Sequence, residues 1–159
     1  STTKLVKKNN KKNSKISIEK RISDDVKYNQ AYNSLRAKKF DEASTLFSDF
    51  LWQYPNSKFV PNAHYWLGEI HLTKWYNDDS DEVSLEKSTF SFKKLVGEFS
   101  SHHKVKDALL KMGVIESKRG NISLAKNYLT KVKLNYPNSA AASIASTYLK
   151  ELKLGRSLN

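Results

Sequence analysis

The feature that most restricts the fold of this chain is a short segment that occurs twice in the same context. Tyr54-Pro55-Asn56-Ser57 returns as Tyr136-Pro137-Asn138-Ser139, and Phe99-Ser100-Ser101 lies between them as a degenerate copy. The aromatic residues that open the three segments are 45 and 37 residues apart. Self-similarity at a period of roughly 20–50 residues indicates stacked supersecondary units, because one such unit cannot bury its apolar face alone.

A series of small residues follows the same period. Ala31, Gly68 and Gly113 are separated by 37 and 45 residues. Both series fit a period of 37 residues if the second unit carries eight extra residues after Gly68 and before Phe99. The polar run Asn77–Asp81 is the expected place for this insertion, because clusters of polar residues between periodic segments are typical of loops.

Between these positions, apolar residues recur at steps of three and four, which is typical of amphipathic helices. We interpret the small residues as points where the two helices of a unit approach closely, with Phe47, Phe92 and Leu129 filling the space around each contact. The chain has five glycines and three prolines, too few for the frequent turns of an all-β fold. Four further columns keep the register: Phe40, Leu85 and Ile122; Ala43, Ser88 and Ala125; Phe47, Phe92 and Leu129; Phe50, Leu95 and Val132.

The pattern predicts an all-α fold, a right-handed superhelix of three helical hairpins followed by a C-terminal capping helix. The hairpins are the repeating units, and the last helix is suited to cover the open end of the stack. The expected boundaries are a domain of residues 23–154 with hairpins at about 24–57, 58–101 and 102–139, a capping helix at 140–154 and a tail at 155–159.

Residues 1–22 differ from the rest of the chain in charge. They hold eight lysines and arginines against the single acidic residue Glu19, so most of the net charge of +12 lies in this segment. A segment with this composition does not bury enough apolar surface to offset its ordering entropy. We expect a flexible linker, and the alternative is an arm that binds nucleic acid through salt-sensitive phosphate contacts.

The composition also bears on membranes and on cysteine chemistry. No run approaches 18 apolar residues, so no membrane span is expected, and no apolar stretch follows the basic segment as a signal peptide requires. The absence of cysteine excludes disulfide scaffolds and thiol catalysis. Because the chain starts at Ser1, we expect a fragment or a processed form of a longer protein.

Candidate sites for catalysis and metal binding are weak. His64 and His71 lie two helical turns apart, which is too far to share a metal ion without outside ligands. The run that starts at Asn77 resembles the beginning of a calcium loop, but Glu82 and Ser88 stand where that loop needs glycine and glutamate. We therefore expect a protein that is not an enzyme and that has no cofactor and no metal.

Generic tetratricopeptide repeats run about 34 residues, and a period of 37 that ends in Tyr-Pro-Asn-Ser is a narrower type. Residues 54–69 closely resemble the C-terminal domain of the cell division coordinators of the Tol-Pal system, the CpoB or YbgF type. Lys111–Asn121, followed by Ala125-Lys126, is similar to the third repeat of that family. The resemblance covers roughly residues 25–153.

The resemblance implies a periplasmic protein of a Gram-negative bacterium that coordinates peptidoglycan synthesis with outer-membrane constriction during cell division. It implies TolA and a bifunctional peptidoglycan synthase as partners. It also implies a trimeric homo-oligomer, formed only through a coiled coil upstream of these repeats. The alternative is a tetratricopeptide adaptor of another envelope assembly complex, of the outer-membrane assembly lipoprotein type.

In this repeat architecture the first helix of each hairpin lines a concave groove, and the register assigns residues to it. Tyrosines in such a groove are expected hot spots for a protein partner, because each combines a large apolar area with a polar end. The competing expectation is that Leu110 and Val114 pack against the capping helix. The groove residues are Asp25, Tyr28, Tyr32, Leu35 and Arg36 from the first unit, Asn62, Tyr65, Glu69, Leu72 and Thr73 from the second, and Asp107, Leu110, Val114, Ser117 and Lys118 from the third.

Overall fold

The computed structural model describes residues 23–158, and every regular element within that range is a helix. The prediction of an all-α fold of paired helices is confirmed. The predicted linker, residues 1–22, lies outside the described residues. The helices are α1 (23–36), α2 (Phe40–Gln53), α3 (Val60–Asn77), α4 (Glu82–Glu98), α5 (Val105–Lys118), α6 (Ile122–Asn135) and α7 (Ala140–Lys153).

Tertiary contacts divide the chain into two compact units, one ending at Ala63 and the other starting at His64. The first unit contains α1 and α2, and the second contains most of α3 and all of α4 to α7. Among the described residues, no helix combines the length and the apolar composition needed to cross a membrane.

The core of the first unit is largely aromatic. The ring of Tyr28 meets Phe47 and Phe50 edge-on, with centroids 5.8 Å and 5.7 Å apart. The same ring stacks on Phe59 at 4.6 Å. Edge-on and stacked arrangements are the favourable geometries for aromatic pairs. Ala31, one turn along α1 from Tyr28, is fully buried and leaves room for these rings.

In the second unit, glycine permits the closest helix contacts. A Cβ atom at Gly68 would lie 2.4 Å from the ring of Phe92. The carbonyl of Gly68 also accepts a hydrogen bond of 2.7 Å from the Ser88 hydroxyl. A Cβ atom at Gly113 would lie 2.8 Å from the side chain of Leu129. The close approach predicted from the register is thus confirmed at both glycines.

The turns after α2, α4 and α6 share one backbone geometry. Tyr54, Phe99 and Tyr136 end these helices with φ of −128°, −131° and −132° and ψ of 58°, 48° and 52°. In all three turns, the carbonyl of the aromatic residue accepts a hydrogen bond from the amide three residues later, at 2.9–3.0 Å. Proline in two of the turns prevents the helix from continuing. The repeated tetrapeptide therefore encodes a repeated turn.

The insertion in the second hairpin lengthens two helices. α1 ends at residue 36, whose register equivalent is Thr73, but α3 continues four residues further to Asn77. α2 begins at Phe40, whose equivalent is Leu85, but α4 begins three residues earlier at Glu82. Residues 78–81 of the polar run do form a loop, as expected, but most of the extra residues lie in the flanking helices, as residues 74–77 of α3 and 82–84 of α4.

The C-terminal residues return to the core after α7. Gly155 has a φ of 71°, and the amide of Arg156 donates to the carbonyl of Glu151 at 2.9 Å. This is the Schellman motif, which needs a residue in the left-handed conformation and so favours glycine. Leu158 is consequently buried in the core cluster of the second unit. The predicted tail thus contributes a core residue, which corrects the expectation that it lies outside the domain.

A pair of glycine substitutions tests the close approach of α3 and α4. In Gly68→Ala the new methyl group collides with the Phe92 ring, and we expect the free energy of unfolding to fall by about 1–3 kcal/mol. Gly97→Ala is the matched control, because a Cβ atom there meets nothing within 4 Å. Alanine should stabilise that helix by up to about 1 kcal/mol. Urea unfolding curves measure both changes, and similar losses in the two variants would contradict the contact.

Candidate functional site

Three helices of the second unit, α3, α5 and α7, surround a cavity of about 440 Å³. Ligand sites in proteins typically have volumes of roughly 300–1,000 Å³. The wall is mainly aromatic and aliphatic, with one charged residue of each sign. The lining residues are Tyr65 and Tyr76 of α3, Asp107, Leu110, Lys111 and Val114 of α5, and Ile144 and Tyr148 of α7.

The lining of α5 and α7 reflects the repeat register. Ile144 and Tyr148 each follow Asp107 and Lys111 by 37 residues, which is one period. The last helix therefore presents the same face as the first helix of a repeat, while its own apolar residues pack on the core. It contributes to the cavity wall and packs against α6 and α5.

Tyr76 reaches the cavity because of the insertion. It lies in the last turn of α3, residues 74–77, which continues beyond the register position where α5 ends at Lys118. Its ring is 50% exposed, so a partner has access to it. The eight extra residues thus add an aromatic side chain to the cavity.

Lysines at the two ends of α5 pack on the aromatic residues of α3. Lys104 Nζ lies 4.7 Å from the centroid of the Tyr65 ring, and Lys118 Nζ lies 5.4 Å from that of Tyr76. These are cation–π contacts, which hold the rings against α5. Lys118 Nζ also donates a hydrogen bond of 3.1 Å to the carbonyl of Leu158.

Between these contacts, Glu69 of α3 has a largely buried carboxylate. Its Oε1 lies 3.7 Å from Lys111 Nζ, an ion pair that is too long for a hydrogen bond. No described residue donates a hydrogen bond to that oxygen. Burial raises the pKa of Glu69, Asp107 raises it further, and the charges of Lys111 and Lys104 only partly oppose the change. The two lysines therefore only partly offset the cost of burying the Glu69 carboxylate.

The same surroundings act on the tyrosine hydroxyl groups. Burial raises the pKa of Tyr65, and the carboxylates of Glu69 and Asp107 add to the effect. Burial also raises the pKa of Tyr76. A tyrosine hydroxyl is already protonated at neutral pH at its ordinary pKa of about 10. The hydroxyl of Tyr76, which is 50% exposed, can therefore donate a hydrogen bond to a bound group.

The structure brings four of the predicted groove residues together: Tyr65, Asp107, Leu110 and Val114 line the cavity. Leu110 and Val114 do so beside Ile144 and Tyr148 of α7, so they lie next to the capping helix as well as the cavity. The register had not pointed to Tyr76, Lys111, Ile144 or Tyr148. The period of 37 that relates α7 to α5 is the signal that identifies Ile144 and Tyr148.

The other predicted groove residues within the second compact unit, which starts at His64, have different surroundings. Leu72 is 2% exposed within the core cluster, so it is a core residue and not a groove residue. The hydroxyl of Thr73 donates to the carbonyl of Glu69 in its own helix at 2.9 Å. Ser117 is half-buried, and Lys118 is exposed.

The predicted groove residues within the first compact unit, which ends at Ala63, do not line this cavity. Tyr28 is 8% exposed and belongs to the aromatic core, where it also stacks on Tyr32 with centroids 6.3 Å apart. Its burial leaves little surface for a partner, which corrects the expectation of an exposed hot spot. Asp25, Leu35 and Asn62 are half-buried, and Arg36 is exposed.

His64 and His71 pack within the protein, and an aspartate of the acidic run caps a helix. The ring of His64 lies 6.2 Å from that of Phe99, and His71 is buried. Asp81 accepts hydrogen bonds from the hydroxyl and the amide of Ser84, which lower its pKa and cap the N-terminus of α4. Across residues 23–158, no group of three or more histidine, aspartate and glutamate side chains could hold a metal ion.

Comparison with known proteins gives two kinds of match. The model of the outer membrane lipoprotein family (YfiO) matches residues 7–118, and the tetratricopeptide repeat model matches residues 107–139. The cell division coordinator CpoB of Pseudomonas putida KT2440 is 49% identical over 47 residues, and that of Escherichia coli K12 is 40% identical over 48 residues. Each match covers 30% of this chain and 18% of the relative. The chain therefore spans less than a fifth of the length of these curated relatives.

The pH dependence of stability tests the state of Glu69. A carboxyl whose folded pKa is raised costs nothing at low pH, and its penalty grows as pH rises from the ordinary value of 4.5 through the raised one. Glu69→Gln removes this penalty, so the variant should gain stability over the wild type across that window and keep the gain at neutral pH. Lys111 is 38% exposed and can turn to water when its partner is lost.

Thermal unfolding from about pH 4 to pH 8 measures the difference in stability between the variant and the wild type. The contributions of the other carboxylates are the same in both proteins and cancel in this difference. Glu86→Gln, at an exposed position of α4, is the control and should give no pH-dependent difference. A Glu69→Gln variant that is less stable at neutral pH would show that the ion pair with Lys111 outweighs the cost of burial.

Proposed function

The chain belongs to the outer membrane lipoprotein family, and we propose from this premise that its repeats bind a polypeptide partner in the Gram-negative envelope without catalysing a reaction. The observation that carries the proposal is the cavity between α3, α5 and α7. Its wall includes Tyr65, Tyr76 and Tyr148. Tyrosine is enriched in the hot spots of protein interfaces, and stacked helical repeats typically bind their partners on extended concave surfaces.

The process that we propose for this binding is cell division. The similarity to CpoB proteins, which are named cell division coordinators, supports it. In this proposal the protein lies in the periplasm and acts within the Tol-Pal system, where it coordinates peptidoglycan synthesis with outer-membrane constriction. TolA and a bifunctional peptidoglycan synthase are the proposed partners, and an upstream coiled coil is the proposed source of trimers.

A second candidate function is an adaptor role in outer-membrane assembly. The observation that favours it is the length of the family match, which runs from residue 7 to residue 118, whereas the CpoB proteins match over 47 and 48 residues. Deletion of the gene separates the two candidates. Delayed constriction with a normal outer-membrane protein profile supports cell division, and depletion of outer-membrane proteins supports assembly.

Substitution of two tyrosines tests the cavity as the binding site. Tyr28 and Tyr65 are 8% and 7% exposed, so removing either ring would damage a core. Tyr76→Ala with Tyr148→Ala removes two more accessible rings. We expect the affinity for purified TolA to fall by at least about tenfold, because truncated hot-spot residues usually cost more than about 1 kcal/mol.

Isothermal titration calorimetry measures the affinity, and circular dichroism verifies that the variant is folded. Phe90→Ala on α4 is the matched control, because that ring is 62% exposed and does not line the cavity. TolA binding that survives the double substitution, or that is lost equally in the control, would contradict the proposed site.

A further inference from the structure

The charges around the cavity leave one carboxylate without a partner. Asp107 lies in the cavity wall, and Glu69 lies near it. The carboxylates of both residues raise the pKa of the neighbouring Tyr65. Lys111, the one lysine of the wall, forms an ion pair with Glu69. Within residues 23–158, Asp107 has neither a hydrogen bond through its side chain nor an ion pair. Its negative charge is therefore available to a bound group.

The other nearby cations are engaged elsewhere. Lys104 lies over the rings of Tyr65 and Trp66, at 4.7 Å and 5.5 Å from their centroids. Lys118 donates to a backbone carbonyl near the C-terminus and lies over the ring of Tyr76. Neither contact involves Asp107. The same contacts show that the tyrosine rings of this region already pack against cations.

The rest of the wall suits the stem of a long side chain. Leu110 and Val114 are almost fully buried, while Ile144 is 41% exposed on the opposite helix. Together they form an aliphatic surface beside Asp107. Lysine and arginine side chains bury their methylene groups on such surfaces and keep the charged end at a polar group.

We propose that the cavity accepts a basic side chain, arginine or lysine, from the bound polypeptide. Its charged end pairs with Asp107, and its methylene groups pack on Leu110, Val114 and Ile144. Arginine is the better fit, since its planar group pairs with a carboxylate through two hydrogen bonds and stacks on aromatic rings. This inference rests on the proposed function, because it specifies the chemistry of the partner at the same cavity.

Two other occupants fit the charges less well. An apolar side chain would cover Asp107 and leave its charge without water or a partner, which is unfavourable. An acidic side chain would meet the carboxylates of Asp107 and Glu69, and like charges repel strongly where water is excluded. The net charge of the chain is +12, so long-range attraction favours an acidic peptide instead. The local and the global charge thus predict opposite preferences.

Matched peptides distinguish these preferences. The probes are nine-residue peptides of alanine, glutamine and leucine with arginine, citrulline, leucine or glutamate at the central position. Citrulline has the shape of arginine without its charge. Methyl signals of Leu110, Val114 and Ile144 in the complete chain, recorded by NMR during titration, report occupation of the cavity.

The arginine peptide should bind most tightly, by about fivefold to tenfold over citrulline, because its hydrogen bonds to a carboxylate are charge-assisted. Asp107→Asn should remove this preference, and Glu86→Gln should keep it. A tighter leucine, citrulline or glutamate peptide, or a preference that persists in Asp107→Asn, overturns the inference while polypeptide binding still stands. Absence of saturable shifts with all four peptides contradicts binding at the cavity, and therefore the proposed function itself.

Discussion

The architecture depends on the close contact between a small residue on one helix and a large apolar side chain on its partner. Gly68 leaves no space for a Cβ atom beside Phe92, and Gly113 leaves none beside Leu129. At this separation the helices exclude water along their contact, so the core gains both from burial of apolar surface and from dense packing. The Ser88 hydroxyl donates a buried hydrogen bond to the carbonyl of Gly68, which explains a polar residue in a column that otherwise holds alanine.

The cavity is a consequence of these pairs. α4 covers one face of α3, and α6 covers one face of α5. The remaining faces of α3 and α5 line the cavity, and α7, the next helix in the repeat register, lines it with them. The insertion then changes what the open faces present. Because it adds a helical turn to α3, it places Tyr76 in the wall, where Lys118 lies over the ring. A departure from the repeat period has thus become part of the site.

The sequence was sufficient for the helices, the repeat register and the glycine contacts, because these follow from periodic positions. It was also sufficient for four of the cavity residues, among them Asp107, which the register places on the open face of α5. Tyr76 escaped prediction because it has no counterpart in the other repeats: α3 continues to Asn77, four residues beyond the register position at which the first helices of the other two repeats end. Leu158 escaped because a single leucine after Gly155 has no periodicity, and only the reversal of the backbone brings it to the core.

A double-mutant cycle between Gly113→Ala and Leu129→Ala measures the central contact most directly. The free energies of unfolding of the two single variants, the double variant and the wild type are obtained from urea denaturation. The methyl group of Gly113→Ala collides only while Leu129 is intact, so we expect the double variant to be more stable than the sum of the single losses by at least about 1 kcal/mol. Losses that add within about 0.5 kcal/mol would contradict a direct steric contact between these helices.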